Sequence, residues 1–345
     1  MSGSFSKALL FWYSENKRDF PWRRDRDFYH VYLSEVMLQQ TRASAVVPYY
    51  ERFLGKFPDM ESFAAASEDE YLKLWEGLGY YSRVRNFHSA VSFLVKEKRI
   101  PETKEELLSL KGIGPYTASI ILAICFSKKE IAVDGNLFRI FARLECCDLE
   151  KNSPLSKRLC YDYFSERLEE DPGAFNQALM DLGEMVCLPH GSSLCGGCPL
   201  KSFCKSYETN TMSLYPRKGV KKEKPVEEKT VLLVMYDGDV LLHQRDKDGL
   251  LASLYEYIVL DGKWTCDEVR EYLQDNGLEI KSVFSLDGAR HVFSHKIWEM
   301  SGFRVVLKKK KALAGTFFAS LDEVRDRYAL PSAFDSFTCF LFSSR

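Results

Sequence analysis

LKGIGPYTASIILA, residues 110–123, places a Gly-x-Gly turn between what read as two helices. Ahead of it, ETKEELLSL offers Thr103 as an N-cap, with Glu106 three residues on as a capping-box partner. Behind it, PYTASIILAICF is apolar enough for a buried helix. Glycine tolerates the positive φ and the close backbone approach that so tight a turn needs. The N–H groups at the start of the second helix, beside Gly112 and Gly114, then face outward as an anion site that suits a nucleic acid phosphate. The plainer reading is a helix end followed by a fresh helix, and for a lone Gly-x-Gly it has the edge.

Working outward, the 345 residues suffice for one large domain or two ordinary ones. Hydrophobic residues at 46% and charged ones at 28% exclude a disordered chain. Net charge is −1, so any surface for a polyanion must be local. No stretch nears the roughly 20 apolar residues of a membrane span. The N-terminal apolar run is too short and too charged at its flanks for a signal peptide. The expectation is a soluble protein of the cell interior with ten reduced cysteines. Residues 1–214 read as helix after helix. YPRKGVKKEKPVEEKT, residues 215–230, holds six Lys/Arg, three Glu and two Pro, which is linker composition. From 231 to 345 strands return: TVLLVMYDGDVLLHQR is a hairpin around Asp237-Gly238, CDEVREYLQDNGL a helix, and HVFSHKIWEMSGFRVVLKKKKAL strands again. The fold class is therefore mainly α, an all-helical first domain, with a small α+β second domain after a basic linker. The Lys308–Lys311 run reads as a solvated hairpin end.

Three further stretches carry chemistry. SEVMLQQTR (34–42) sets Glu35 inside the apolar run Phe28, Tyr29, Val31, Tyr32, Leu33, Val36, Met37, Leu38, where a carboxylate has to be paired, protonated or used. IAVDGNLFRIFARL (131–144) puts Asp134 before a helix about twenty residues after the Gly-x-Gly turn; N-capping and catalysis are both open to it. Cys187, Cys195, Cys198 and Cys204 fall within 18 residues, and four thiolates so close can hold zinc or an iron–sulfur cluster. A single Cys-x2-Cys pair tilts the spacing toward [4Fe-4S], and Lys201, Lys205 and His190 decorate the same loop. In GLGYYSRVRNF (77–87), Tyr80 and Tyr81 suit either a core or a wedge in a base stack with Arg83 and Arg85 on phosphates.

Taken together, LSEVMLQQTR, GLGYYSRVRN, LKGIGPYTA, VDGNLFRIFAR, NQALMDLG and the cysteines resemble, in order, the helix-hairpin-helix DNA glycosylases, and most closely the MutY-type adenine DNA glycosylases. RHVFSHKIWEM resembles that family's Phe-Ser-His loop, in a domain related to Nudix hydrolases. The resemblance implies a monofunctional enzyme that removes adenine opposite 8-oxoguanine or guanine in double-stranded DNA, a monomer in the cytoplasm and on the nucleoid, with a [4Fe-4S] cluster. It implies that Glu35 is the general acid toward adenine N7, that Asp134 stabilises the sugar cation, and that Tyr116 and Asn136 support them. Gln40, flanked by Gln39 and Thr41, matches the residue filling the gap left by the flipped base, and Tyr80 a wedge beside 8-oxoguanine. Trp22 and Arg23 match the adenine pocket, and Phe293, Ser294 and His295 the 8-oxoguanine reader. Where endonuclease III relatives carry a nucleophilic Lys, this chain has Tyr116. Three departures stand out: seven residues rather than six between the first two cysteines, Phe138 where some members carry Lys, and no acidic Nudix box, which makes the second domain a reader without hydrolase activity. The competing functions are a mismatch-specific thymine glycosylase on the same scaffold and a non-catalytic iron–sulfur DNA-binding protein.

Overall fold

A computed structural model describes residues 4–151, 153–189, 193–217 and 223–343. The chain divides into two units, Met1–Ala65 with Asn86–Lys221, and Ala66–Arg85 with Lys222–Arg345. None of the helices among the described residues is long and apolar enough to cross a membrane.

Helices make up the first unit. Those that matter for function are α1 (Phe5–Asn16), α2 (Phe28–Leu38), α3 (Lys104–Ser109), α4 (Pro115–Cys125), α5 (Gly135–Glu145) and α6 (Pro172–Met185). Asp27 caps α2 by accepting from the Tyr29 and His30 amides. Nine of its eleven residues are buried, as its largely apolar sequence requires, and it stops at Leu38. α4 is equally enclosed from Thr117 to Ile124 and opens with Pro115 at its first position. Between α3 and α4, Gly112 has φ +83°, and a Cβ there would lie 2.8 Å from the Asn86 Cβ, so both backbone and space demand glycine. Gly114 has an ordinary φ and open space beyond it, which leaves the α4 N-terminus uncovered by its own chain. On α6, the buried Asn176 accepts from the Ala132 amide and donates to the Glu130 and Pro172 carbonyls. That one amide fixes the strand-like approach to Asp134.

The second unit is a seven-stranded sheet with helices. Its strands are β1 (Val226–Tyr236), β2 (Asp239–Gln244), β3 (Tyr255–Glu256), β4 (Ile258–Asp261), β5 (Ile280–Val292), β6 (Ile297–Leu307) and β7 (Thr316–Ala319). Their order is β3-β2-β1-β6-β5, with β4 on β1 and β7 on β2. β1 runs parallel to β6, and apolar side chains from both faces of the sheet fill two cores. The Asp237-Gly238 turn has positive φ at both residues, as a two-residue hairpin requires.

Two expectations need correcting. The basic linker does not reach residue 230: Val226–Thr230 is the start of β1, paired along β6. Three consecutive charges, Glu227, Glu228 and Lys229, sit on this strand, where Glu227 pairs with Lys229 and Lys296, so composition alone hid the strand. Residues 66–85 group with the sheet and not with the helical unit. Lys73 Nζ donates to the Val324 and Tyr328 carbonyls, the Leu330 amide donates to Glu76, and the Tyr255 hydroxyl donates to Asp69. Within this segment Tyr81 is buried in the core, and Tyr80 is half-exposed with φ +49°. Arg83 is buried and donates to the Leu78 and Gly79 carbonyls, holding the turn, and Arg85 pairs with Glu68. Neither is free for a phosphate in the way the sequence suggested.

Candidate active site and cysteine loop

Glu35 lies on α2 at 6% exposure, and its Oε2 accepts no hydrogen bond among the described residues. Burial disfavours its charged form and pushes its pKa up to about 7. The Tyr116 hydroxyl and the Arg23 guanidinium pull the other way, and Asp134 adds to the rise. The Tyr116 phenol itself is held well above its ordinary range by burial and by the two carboxylates, so it stays a neutral donor. It sits at the second position of α4, 3.8 Å from Met180 Sδ of α6.

Asp134 caps α5, and its Oδ1 accepts from the Asn136 and Leu137 amides at 2.9 and 2.8 Å. Burial raises its pKa; those two amides, then Arg139 and Lys151, oppose the rise. Burial raises both carboxyls; what separates them is that Glu35 keeps a vacant oxygen, whereas Asp134 is bound by backbone donors at a positive helix end. Asn136 donates to Glu184 Oε1, and a Cβ at Gly183 would lie 2.9 Å from the Asn136 Cβ, so α6 carries glycine where α5 crosses it.

Trp22 is buried, stacked on Phe20 at 4.7 Å. Arg23 points its guanidinium into a fork with Asp181 of α6, at 2.7 and 3.0 Å, and Arg18 grips the same carboxylate at 2.6 Å. Asp181 has no exposed side-chain surface. The sequence reading passed over it, although it sits in the quoted NQALMDLG stretch; its signal was an acid directly after the apolar run Ala178-Leu179-Met180, akin to the one that marked Glu35. Beyond α2, Gln39, Gln40 and Thr41 form a turn, with Gln40 exposed at φ +60°. A non-glycine residue held there marks local strain of the kind found at functional sites.

The four cysteines line a single cavity with Ile140, Arg143, Leu144 and Leu182. α5 reaches that loop as well as the acid site: Arg139 donates to the Cys187 carbonyl and Arg143 to Cys187 Sγ at 3.2 Å and Leu188 O at 2.9 Å. Among the described residues no three His, Cys, Asp or Glu side chains converge to hold a single metal ion. His190 and the middle of the seven-residue gap lie outside the described residues.

Residues 33–163 match the model of the HhH-GPD superfamily of base excision DNA repair proteins, and residues 230–338 that of the NUDIX domain. The adenine DNA glycosylase of Buchnera aphidicola is 30% identical over 309 residues, 88% of this chain and 87% of that one. The chain belongs to the adenine DNA glycosylase family. The rat member, Rattus norvegicus adenine DNA glycosylase, is 33% identical over 74% of this chain, which spans 60% of the rat protein's length. A solved structure titled as a thermostable thymine-DNA glycosylase superposes with a TM-score of 0.54 at 25% identity, over 59% of this chain and 95% of its own. Endonuclease III in complex with DNA shares the fold, with a TM-score of 0.50 over 59% of this chain.

In this family member the second unit presents Phe293, Ser294 and His295 in the turn between β5 and β6. Phe293 is anchored edge-on against Trp298 at 4.9 Å, and its amide donates to the Lys296 carbonyl. Ser294 Oγ and His295 Nδ1 lie 3.3 Å apart on the exposed side. Tyr80 belongs to this same unit. Phe138 is buried on α5 beside Phe141.

Proposed function

We propose that this protein excises adenine from 8-oxoguanine:A and G:A mispairs in duplex DNA by hydrolysing the N-glycosidic bond. The observation that carries the proposal is Glu35, buried, with one oxygen uncommitted and a pKa near neutrality. An acid so placed donates a proton to N7 of an extruded adenine and makes the base a leaving group. Asp134 faces the sugar as an ionised partner, stabilising the cation or bonding to it before water completes hydrolysis. Tyr116 at the start of α4 offers no amine for imine formation, so strand cleavage does not accompany base loss. The uncovered α4 N-terminus holds a backbone phosphate, Gln40 fills the vacated stack, and Ser294 and His295 address 8-oxoguanine.

The cysteine loop fits an iron–sulfur cluster better than zinc. The four cysteines line one cavity, and their spacing holds a single Cys-x2-Cys pair where structural zinc sites use two. Cys187, Cys195, Cys198 and Cys204 would hold the cluster, which would cross-link the loop to itself through iron–thiolate bonds, while Arg139 and Arg143 join the loop to α5. Arg143 orients Cys187 and offsets its charge.

A thymine glycosylase is the competing reading because of the solved structure of that title, but that likeness covers 59% of this chain, whereas the NUDIX model matches residues 230–338. A panel of duplexes holding 8-oxoguanine:A, G:A, G:T and matched A:T decides between them. Alkali should cut the adenine strand of the first two alone; thymine loss from G:T, or no base loss at stoichiometric protein, ends the proposal.

A further inference from the structure

We infer that Lys151 is a DNA-contact residue of the catalytic turn, whose ammonium holds a backbone phosphate beside the nucleotide that Asp134 faces. The inference rests on the glycosylase reading and adds a residue that neither the sequence motifs nor the family match singles out.

The argument starts at Gly135, the first residue of α5. Its φ is not positive, so the backbone there does not require glycine. Space does. A Cβ at that position would lie 2.9 Å from Lys151 Cε and closer still to Nζ. The end of the Lys151 side chain therefore occupies the place where any other residue at 135 would put its own. Its backbone is tethered, because the fully buried Ser156 donates its hydroxyl to the Lys151 carbonyl at 3.2 Å.

Asp134 draws the ammonium toward the turn but does not hold it in a salt bridge. The N-terminus of α5 is the positive end of its helix and repels an ammonium. Lys151 is not an ion-pair partner of Asp134 and acts on it at longer range. Asp134 already gives Oδ1 to two amides, and Arg139 adds a second cation nearby. Around the turn, Asn136 donates to Glu184 and Arg139 is spent on the Cys187 and Gly183 carbonyls, whereas the Lys151 ammonium has no hydrogen-bonded partner among the described residues. An anion from outside supplies one. If Asp134 is to meet a sugar, the phosphates on either side of that sugar must come against this same turn, within reach of a flexible lysine.

The test uses the full chain carrying Glu35→Gln, so that the substrate survives, with and without Lys151→Ala, on an 8-oxoguanine:A duplex. Lys151→Ala should weaken binding on the order of 10-fold, as expected for a lost charge-assisted hydrogen bond, and make the slope of log K against log[salt] shallower by about 0.9. Lys151→Arg should restore both. Methylphosphonate groups placed one at a time on either side of the target adenosine should weaken the lysine protein at one position and leave Lys151→Ala indifferent there. Gly135→Ala, which displaces the amine without removing it, should add little to Lys151→Ala. An unchanged salt slope, or equal sensitivity of both proteins to every methylphosphonate, overturns the contact. Loss of preference for the mispair in the Glu35→Gln protein overturns the glycosylase reading instead.

Discussion

Glu35→Gln should make the protein more stable at high pH while destroying its activity. The glutamate's folded-state pKa is about 7 against an ordinary 4.5. In the unfolded chain it loses its proton near 4.5, and in the folded one it keeps it to about 7. Between those values the folded state binds more protons, so stability falls as pH rises and levels off above 7. The difference of about 2.5 pH units corresponds to roughly 3 kcal/mol. Glutamine keeps the shape and cannot ionise. Denaturant unfolding of parent and variant should therefore coincide near pH 4.5 and diverge by up to about 3 kcal/mol in favour of the variant at pH 8, while base loss slows by about 10² to 10⁴. A stability difference independent of pH would show that burial does not disfavour the charged form of Glu35, and the reasoning would fail.

Asp181→Asn leaves Arg18 and Arg23 without their buried anion, which should cost about 3–5 kcal/mol in unfolding experiments. Because Arg23 already favours the charged form of Glu35, and is then no longer offset, the alkaline fall in activity should move to lower pH; Tyr116 and Asp134, the other groups facing Glu35, are unchanged. Cys198→Ser should abolish the visible absorbance of a cluster and weaken DNA binding with little loss of far-ultraviolet helix signal, since α5 and α6 are closed by their own cores. His295→Ala should narrow the rate advantage of 8-oxoguanine:A over G:A, leaving G:A turnover nearly constant, as measured under single-turnover conditions.

Local signals carried most of the fold. Thr103, Gly112, Pro115 and Asp134 write the helix ends around the catalytic turn in short-range chemistry, and each forms as read. Glu35 stood out because a lone carboxylate in an apolar helix is costly. What stayed hidden depends on partners far along the chain. Asp181 becomes meaningful when Arg18 and Arg23 fold back onto it, more than 150 residues away. Residues 66–85 have helix propensity wherever they pack, so sequence could not say that Lys73 and Glu76 bind carbonyl and amide groups near residue 328. Val226–Thr230 looked like linker because three of its five residues are charged, which a strand tolerates when ladder hydrogen bonds to a neighbour hold it. Lys151 had no pattern at all, and it took the missing Cβ of Gly135 to point to it.

Single-turnover adenine release from an 8-oxoguanine:A duplex, followed from pH 5.5 to 9, tests the protonated-acid account most directly. The rate should fall through a midpoint near pH 7, about tenfold between pH 6 and pH 8, as Glu35 loses its proton. A rate that holds level or climbs up to pH 8.5 would mean that no acid titrating near neutrality is needed for the base to leave.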